Sequence, residues 1–243
     1  MTVTHYTLKK KNAPRLRLVL LADLHGRICA PLLPAVKRLA PDLILMAGDM
    51  INGAIARDLR TLSLFSGLAA IAPTYYSLGN HERATLQEDE YAVRDTGAVL
   101  LDDACITQGA LSIGGLSSGF LGGRQTALMR TTPPDLPFLS DFAHRRGFRI
   151  LLCHHPEYYP RYIKQTTIDI ILSGHAHGGQ CRIGNRGLFA PGQGIFPRLT
   201  DGIYDGRLIV SRGLSNTVPL PRFANDTQLV CIDLTAGKDS VQS

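Results

Sequence analysis

Five short apolar runs in this chain each stop at residues able to hold a cation, and no other feature restricts the fold as much. Residues 18–22 lead into Asp23-Leu24-His25, 43–47 into Gly48-Asp49, and 74–78 into Gly79-Asn80-His81-Glu82. Residues 150–153 lead into His154-His155, and 170–173 into Gly174-His175-Ala176-His177. Uninterrupted apolar runs of this length suit strands buried on both faces. In open α/β sheets, ligands bind beyond the carboxyl ends of the strands, where several loops converge on a rigid frame.

Each residue alone has an ordinary reading. An Asp or Asn after a strand is commonly a turn former or helix cap, and a lone His a satisfied polar side chain. As a set they are harder to dismiss, because six of the eight histidines fall at these strand ends. His-x-His in an extended segment sends both imidazoles to one side. Carboxylate, imidazole and amide donors without thiolates suit Mn²⁺, Fe or Zn²⁺ and argue against a closed structural zinc site. Asp23, His25, Asp49, Asn80, His154, His175 and His177 are too many ligands for one four-coordinate ion. They suit two ions sharing a carboxylate, roughly 3.5–4 Å apart, which serve in-line displacement at phosphorus.

Further apolar runs at 111–114, 208–211 and 228–234 add strands, and 32–39, 58–68 and 87–95 have helical spacing, the last ending at Gly97. Strand and helix alternate early, and short strands with Gly and Pro turns dominate after residue 165. The expectation is an α/β fold forming one domain over 1–243. Residues 114–130, rich in Gly, Ser and Arg, lack the phosphate-cradling GxxxxGK[ST] pattern and read as a surface loop, with substrate contact left open.

Composition excludes several classes. With 44% apolar and 19% charged residues the chain is not disordered. A net charge of +6 favours anionic substrates, but scattered basic residues and the absence of tryptophan give no nucleic-acid module. Five cysteines without a CxxC pair argue for reduced thiols. No signal-type apolar region and no apolar run of about 18 residues is present, so the expectation is a soluble cytoplasmic protein without a transmembrane segment. Peripheral membrane contact stays open.

The ordered blocks Asp23-Leu24-His25, Gly48-Asp49, Gly79-Asn80-His81-Glu82, His154 and Gly174-His175-Ala176-His177 resemble the calcineurin-like metallophosphoesterase superfamily. Gly174-His175-Ala176-His177-Gly178-Gly179-Gln180 and Ser211-Arg212-Gly213-Leu214 resemble its bacterial phosphodiesterase branch of the YkuE/YaeI type. The resemblance implies a four-layer α/β/β/α sandwich with two mixed sheets. It also implies that two divalent metal ions serve in-line attack by a bridging hydroxide on a phosphodiester or pyrophosphate bond.

By motif, Asp23, His25 and His177 would hold one ion, Asp49 would bridge, and Asn80, His154 and His175 would hold the other. His155 is the alternative to His154, and His81 would act on the phosphate as the catalytic imidazole. Two departures stand out. Asn52 replaces an Asp expected to pair with His81, and Gly53 replaces an Arg that would clamp a phosphomonoester dianion, which favours diesters. Cys153 is expected in the core, Glu82 as a helix cap, and Arg212 either holding a loop or meeting substrate. The competing implications are a UDP-sugar lipid pyrophosphatase and a non-catalytic metal-binding scaffold.

Overall fold

The computed structural model describes residues 1–27, 31–82, 87–119, 132–184, 186–216 and 221–242. The first strands are β1 (Thr2–Lys10), β2 (Leu16–Leu21), β3 (Leu43–Ala47), β4 (Thr74–Ser77) and β5 (Val99–Leu100). There follow β6 (Ala104–Gln108), β7 (Leu111–Leu116), β8 (Phe148–Cys153) and β9 (Ile170–Ser173). Two small hairpins come next, β10 (Arg182–Ile183) with β11 (Arg186–Gly187) and β12 (Phe189–Ala190) with β13 (Gly194–Ile195). The chain ends in β14 (Gly202–Tyr204), β15 (Leu208–Val210), β16 (Gln228–Ala236) and β17 (Ser240–Gln242). The helices are α1 (Leu32–Leu39), α2 (Leu59–Ala69), α3 (Gln87–Asp95) and α4 (Leu136–Ala143).

Two mixed sheets result, ordered β17-β1-β16-β2-β3-β4-β5 and β14-β15-β9-β8-β7-β6. Alternation along the buried strands sorts their side chains onto two faces. Leu18, Leu20, Leu43 and Leu45 from the first sheet share a core with Ile150, Leu152, Ile170 and Leu172 from the second. The opposite face of the first sheet, Val19, Leu21, Ile44 and Met46, packs on α1, α2 and α3 through Val36, Phe65 and Val93. Leu151, Cys153 and Ile171 of the second sheet pack on Phe142 of α4. This is the four-layer α/β/β/α sandwich, and it explains why the central runs are apolar at every position.

β2, β3 and β4 run parallel, as do β7, β8, β9 and β15. Their carboxyl ends deliver the candidate residues. Two expectations need correction. Gly114–Leu116 belong to β7 rather than to a loop, because Phe142 and the Leu101 carbonyl leave no room for a side chain at Gly114 and Gly115. Positions 120–130 of that glycine-rich segment lie outside the described residues. β1 pairs in parallel with β16, from Thr2 opposite Gln228 to Lys10 opposite Ala236, where the sequence showed no apolar run. No helix among the described residues is long and apolar enough to cross a membrane.

Candidate metal centre

The backbone is bent where the candidate ligands sit. Asp23, His25, Asp49, His175 and His177 all take left-handed conformations, with φ between 46° and 66°. A residue with a Cβ gives up about 1–2 kcal/mol in that region, so five such residues at strand ends mark a site held against local preference. Hydrogen bonds between loops hold it. Asp23 and His25 donate their backbone N–H groups to the carbonyls of Gly48 and Asp49 (3.1 and 2.9 Å), and Gly174 donates to that of His154 (3.1 Å). The His175 N–H reaches both Asp23 carboxylate oxygens at 3.0 Å. Gly174 is obligatory, since a Cβ there would lie 2.6 Å from Asp23 Oδ2.

Among the described residues these loops gather four sets of donor atoms that a cation could share: Asp23 with His25 and His177, His25 with Asp49 and His81, Asp49 with His154 and His175, and His155 with Glu157 and His175. Asp49 Oδ2 lies 3.1 Å from His154 Nε2, 3.7 Å from His25 Nε2 and 4.0 Å from His81 Nε2. Asn80 is buried on the same loop as His81. The expected one-sided display of His175 and His177 does not occur. The segment is not extended, and the two imidazoles part, one toward Asp49 and the other 3.6 Å from Asp23 Oδ1.

The tautomers of two imidazoles follow from their outer contacts. His25 Nδ1 lies 2.9 Å from Asn52 Oδ1, and His154 Nδ1 lies 2.8 Å from the Ala47 carbonyl. Each oxygen can only accept, so Nδ1 of each ring carries a proton and Nε2 is the nitrogen turned toward the carboxylates. Both Nε2 atoms are buried without a hydrogen-bond partner. Two buried ring nitrogens without partners beside two carboxylates fit a divalent cation better than they fit a closed core.

Asn52 therefore belongs to His25 and not, as expected, to His81. Its Nδ2 also donates to the His25 carbonyl (3.2 Å), so both ends of the amide are used there. His155 meets Ser118 Oγ at 2.7 Å through Nε2, and its Nδ1 lies 3.3 Å from Glu157 Oε1, outside the Asp49 sets.

Electrostatics separate the groups. Burial, aided by the Asp49 charge, pushes Asp23 up to about 7. Burial opposes ionisation of Asp49, but the neighbouring charge of His154 holds it well below the usual carboxylate range. Burial also opposes protonation of His154, yet Asp49 and Asp23 raise it to about 10. His25 falls to about 4 and His175 and His177 fall well below normal, all chiefly through burial. Three imidazoles are thus held neutral at pH 7, the form a cation needs.

Several supporting residues were not legible in sequence. Glu82 does not cap a helix. It is buried and accepts from the backbone N–H groups of Gly79 (2.7 Å), Asp49 (3.0 Å) and Ile51 (3.2 Å), and from the Tyr76 hydroxyl (2.6 Å). It thereby fastens the Asp49 loop to the Asn80 loop. Arg222 places Nη2 3.0 Å from His177 Nδ1. A guanidinium only donates, so this Nδ1 accepts and the His177 proton sits on Nε2. Binding a cation through Nε2 would require that tautomer to change. Arg212 places Nη2 3.0 Å from Thr2 Oγ1 and Nη1 4.0 Å from Asp201 Oδ2. Cys153 lies in the core against α4, as expected.

The four-layer sandwich gathers carboxylates and imidazoles at its strand ends, a donor set suited to a divalent cation. The family model of the calcineurin-like phosphoesterases matches residues 16–179, and the chain belongs to that family. It is similar to the phosphodiesterase YaeI of Escherichia coli, 28% identical over 187 residues that make up 72% of this chain and 65% of that protein. It is also similar to the metallophosphoesterase Cj0846 of Campylobacter jejuni, 28% identical over 92% of this chain and 60% of the relative. The protein YpbG of Bacillus subtilis is 26% identical over 87% of this chain and 78% of its own length. The chain therefore spans under two thirds of two of these three relatives.

Proposed function

We propose that the protein is a binuclear metal-dependent phosphodiesterase. Asp23, His25 and His177 would hold one divalent ion, Asn80, His154 and His175 the other, and Asp49 would serve both. The observation that carries this reading is the position of Asp49, whose Oδ2 is approached by His154 at 3.1 Å and His25 at 3.7 Å from separate strand ends. Two ions held there supply an activated water and neutralise charge at phosphorus. The chain's own groups orient the ligands. Asn52 and the Ala47 carbonyl fix two tautomers, and Glu82 sets the spacing of the Asp49 and Asn80 loops.

Substrate class follows from what faces the phosphate. Gly53 offers no guanidinium where a monoester clamp would stand, and the Nη groups of Arg222 are taken by His177 and the carbonyls of Arg212 and Ser215. A charged hydrogen bond contributes about 1.5–3 kcal/mol, so its absence disfavours a dianion by about 10–100-fold. The relative named a phosphodiesterase supports the same class. With Mn²⁺, hydrolysis of bis-p-nitrophenyl phosphate should exceed that of p-nitrophenyl phosphate in kcat/KM by that factor. A strong monoester preference overturns the substrate class, and failure on both with Mn²⁺, Fe²⁺ and Zn²⁺ leaves the non-catalytic scaffold.

Glu157 gives a second test. Its Oε1 lies 3.7 Å from His175 Nε2 and 3.3 Å from His155 Nδ1, with all three residues buried. Neither ring nitrogen is hydrogen-bonded here, so Glu157 would act as the negative charge behind a ligating imidazole, and removing such a carboxylate costs about 10–100-fold in metal affinity. Glu157→Gln should weaken Mn²⁺ binding by that factor in a calorimetric titration while leaving secondary structure unchanged. Unaltered affinity would remove Glu157 from the site.

A further inference from the structure

A second feature, independent of the hydrolytic reading, lies on the segment that follows His177. Between Asp169 and Asp201 the sequence has no carboxylate and three arginines, Arg182, Arg186 and Arg198. The two hairpins of this segment are too short to bury their own apolar residues. Ile183, Ile195, Phe196 and the adjoining Phe223 are 67–75% exposed, and Phe189 is 39% exposed. These five are all of the exposed Phe and Ile side chains among the described residues.

They form one neighbourhood. Phe189 lies opposite Ile195 across β12 and β13, Phe196 donates its N–H to the Leu188 carbonyl (2.9 Å), and Arg182 donates its N–H to the Phe223 carbonyl (3.0 Å). Leu188 in turn donates its N–H to the Gly179 carbonyl at 3.1 Å, which ties the hairpins to the His177 loop. Beside the apolar residues opens a cavity of about 380 Å³ walled by Arg186, Phe196, Pro197, Arg198, Thr200 and Tyr204. Among the described residues Arg182 pairs with Asp201, whereas Arg186 and Arg198 have no ion-pair partner.

Large apolar side chains exposed together mark an interaction surface. Here they stand with two unpaired guanidinium groups, Arg186 and Arg198, while the nearby Asp201 is taken up by Arg182, which is complementary to a flat anionic surface with an apolar interior. We infer that the face carrying Ile183, Phe189, Ile195, Phe196 and Phe223 docks on an anionic lipid bilayer, with Arg186 and Arg198 on headgroup phosphates. Interfacial binding adds buried apolar area to charge attraction, and a basic residue near such a surface contributes about 1 kcal/mol, or about 5-fold.

Co-sedimentation with phosphatidylcholine vesicles, with and without phosphatidylglycerol, tests this. The protein should pellet only with the anionic vesicles. The variant F189S/I195S/F196S should lose at least about 10-fold in partitioning, and R186Q/R198Q about 5-fold for each arginine. Thermal melting of both variants reports the fold without reference to hydrolysis. Equal partitioning onto neutral and anionic vesicles, or none onto either, overturns the inference. So does light scattering that finds the wild-type chain self-associated through this face and the apolar variant monomeric.

Discussion

Asp49→Asn should leave a folded protein that binds Mn²⁺ poorly and hydrolyses bis-p-nitrophenyl phosphate at a small fraction of the wild-type rate. The fold should survive because an amide fits the same contacts. Asp49 Oδ1 accepts the His81 backbone N–H at 2.8 Å, which an amide oxygen reproduces. The new NH₂ would face the Nε2 atoms of His154 and His25, now buried without partners. The variant also removes one of the charges that push Asp23 up to about 7. Cation binding should suffer because, among the described residues, no other carboxylate is shared between the sets of donor atoms.

Losing one preorganised donor at a reaction centre costs about 10²–10³-fold, and loss of a shared ligand should cost at least that. Melting gives an independent reading. An ion at 100 times its dissociation constant stabilises the native state by about 2.7 kcal/mol, or about 5–10 °C in a chain of this size. Wild type should show that rise with Mn²⁺ and Asp49→Asn should not. A variant that keeps two equivalents of metal, or keeps the rise, would show that Asp49 is not the shared ligand.

The strand-end residues were legible because buried parallel strands leave a plain signature. β3 spans Leu43–Ala47, where the apolar run had placed it, and α1 and α3 also match their periodic segments. β1 was not legible, since its Thr, His and Lys residues resemble a polar tail and its partner lies at the other end of the chain. β6 and α4 were missed as well. The same limit applied at the site. Asp, Asn and His in short motifs could be named from local order, but what stands behind each imidazole could not. The Asn52 contact with His25 and the Arg222 contact with His177 join residues 27 and 45 positions apart. Glu82 offered a local reading as a helix cap that its contacts overrode: four donors converge on its carboxylate, and burial pushes it up to about 7. His-x-His misled for a related reason, because a period-two argument holds only while the backbone stays extended.

His81→Asn should separate catalysis from metal binding. Its imidazole is 23% exposed, whereas the side chains of His25 and His154 are fully buried. Its Nε2 stands 4.0 Å from Asp49 Oδ2, and its ring meets His25 edge-on with centroids 4.6 Å apart. The ring thus sits at the mouth of the cage, where a phosphate over Asp49 would meet it. A positioned imidazole that protonates a leaving oxygen, or stabilises charge on it, contributes about 10²–10⁴-fold. The backbone bond from His81 to Asp49 survives the substitution, so the loop should keep its shape. The expected outcome is a fall in kcat of that size with KM and Mn²⁺ stoichiometry nearly unchanged. A diester with a more acidic leaving group should recover part of the loss, since it needs less proton donation. If metal content falls with the rate, His81 is a ligand. If leaving-group acidity makes no difference, it stabilises charge without donating a proton.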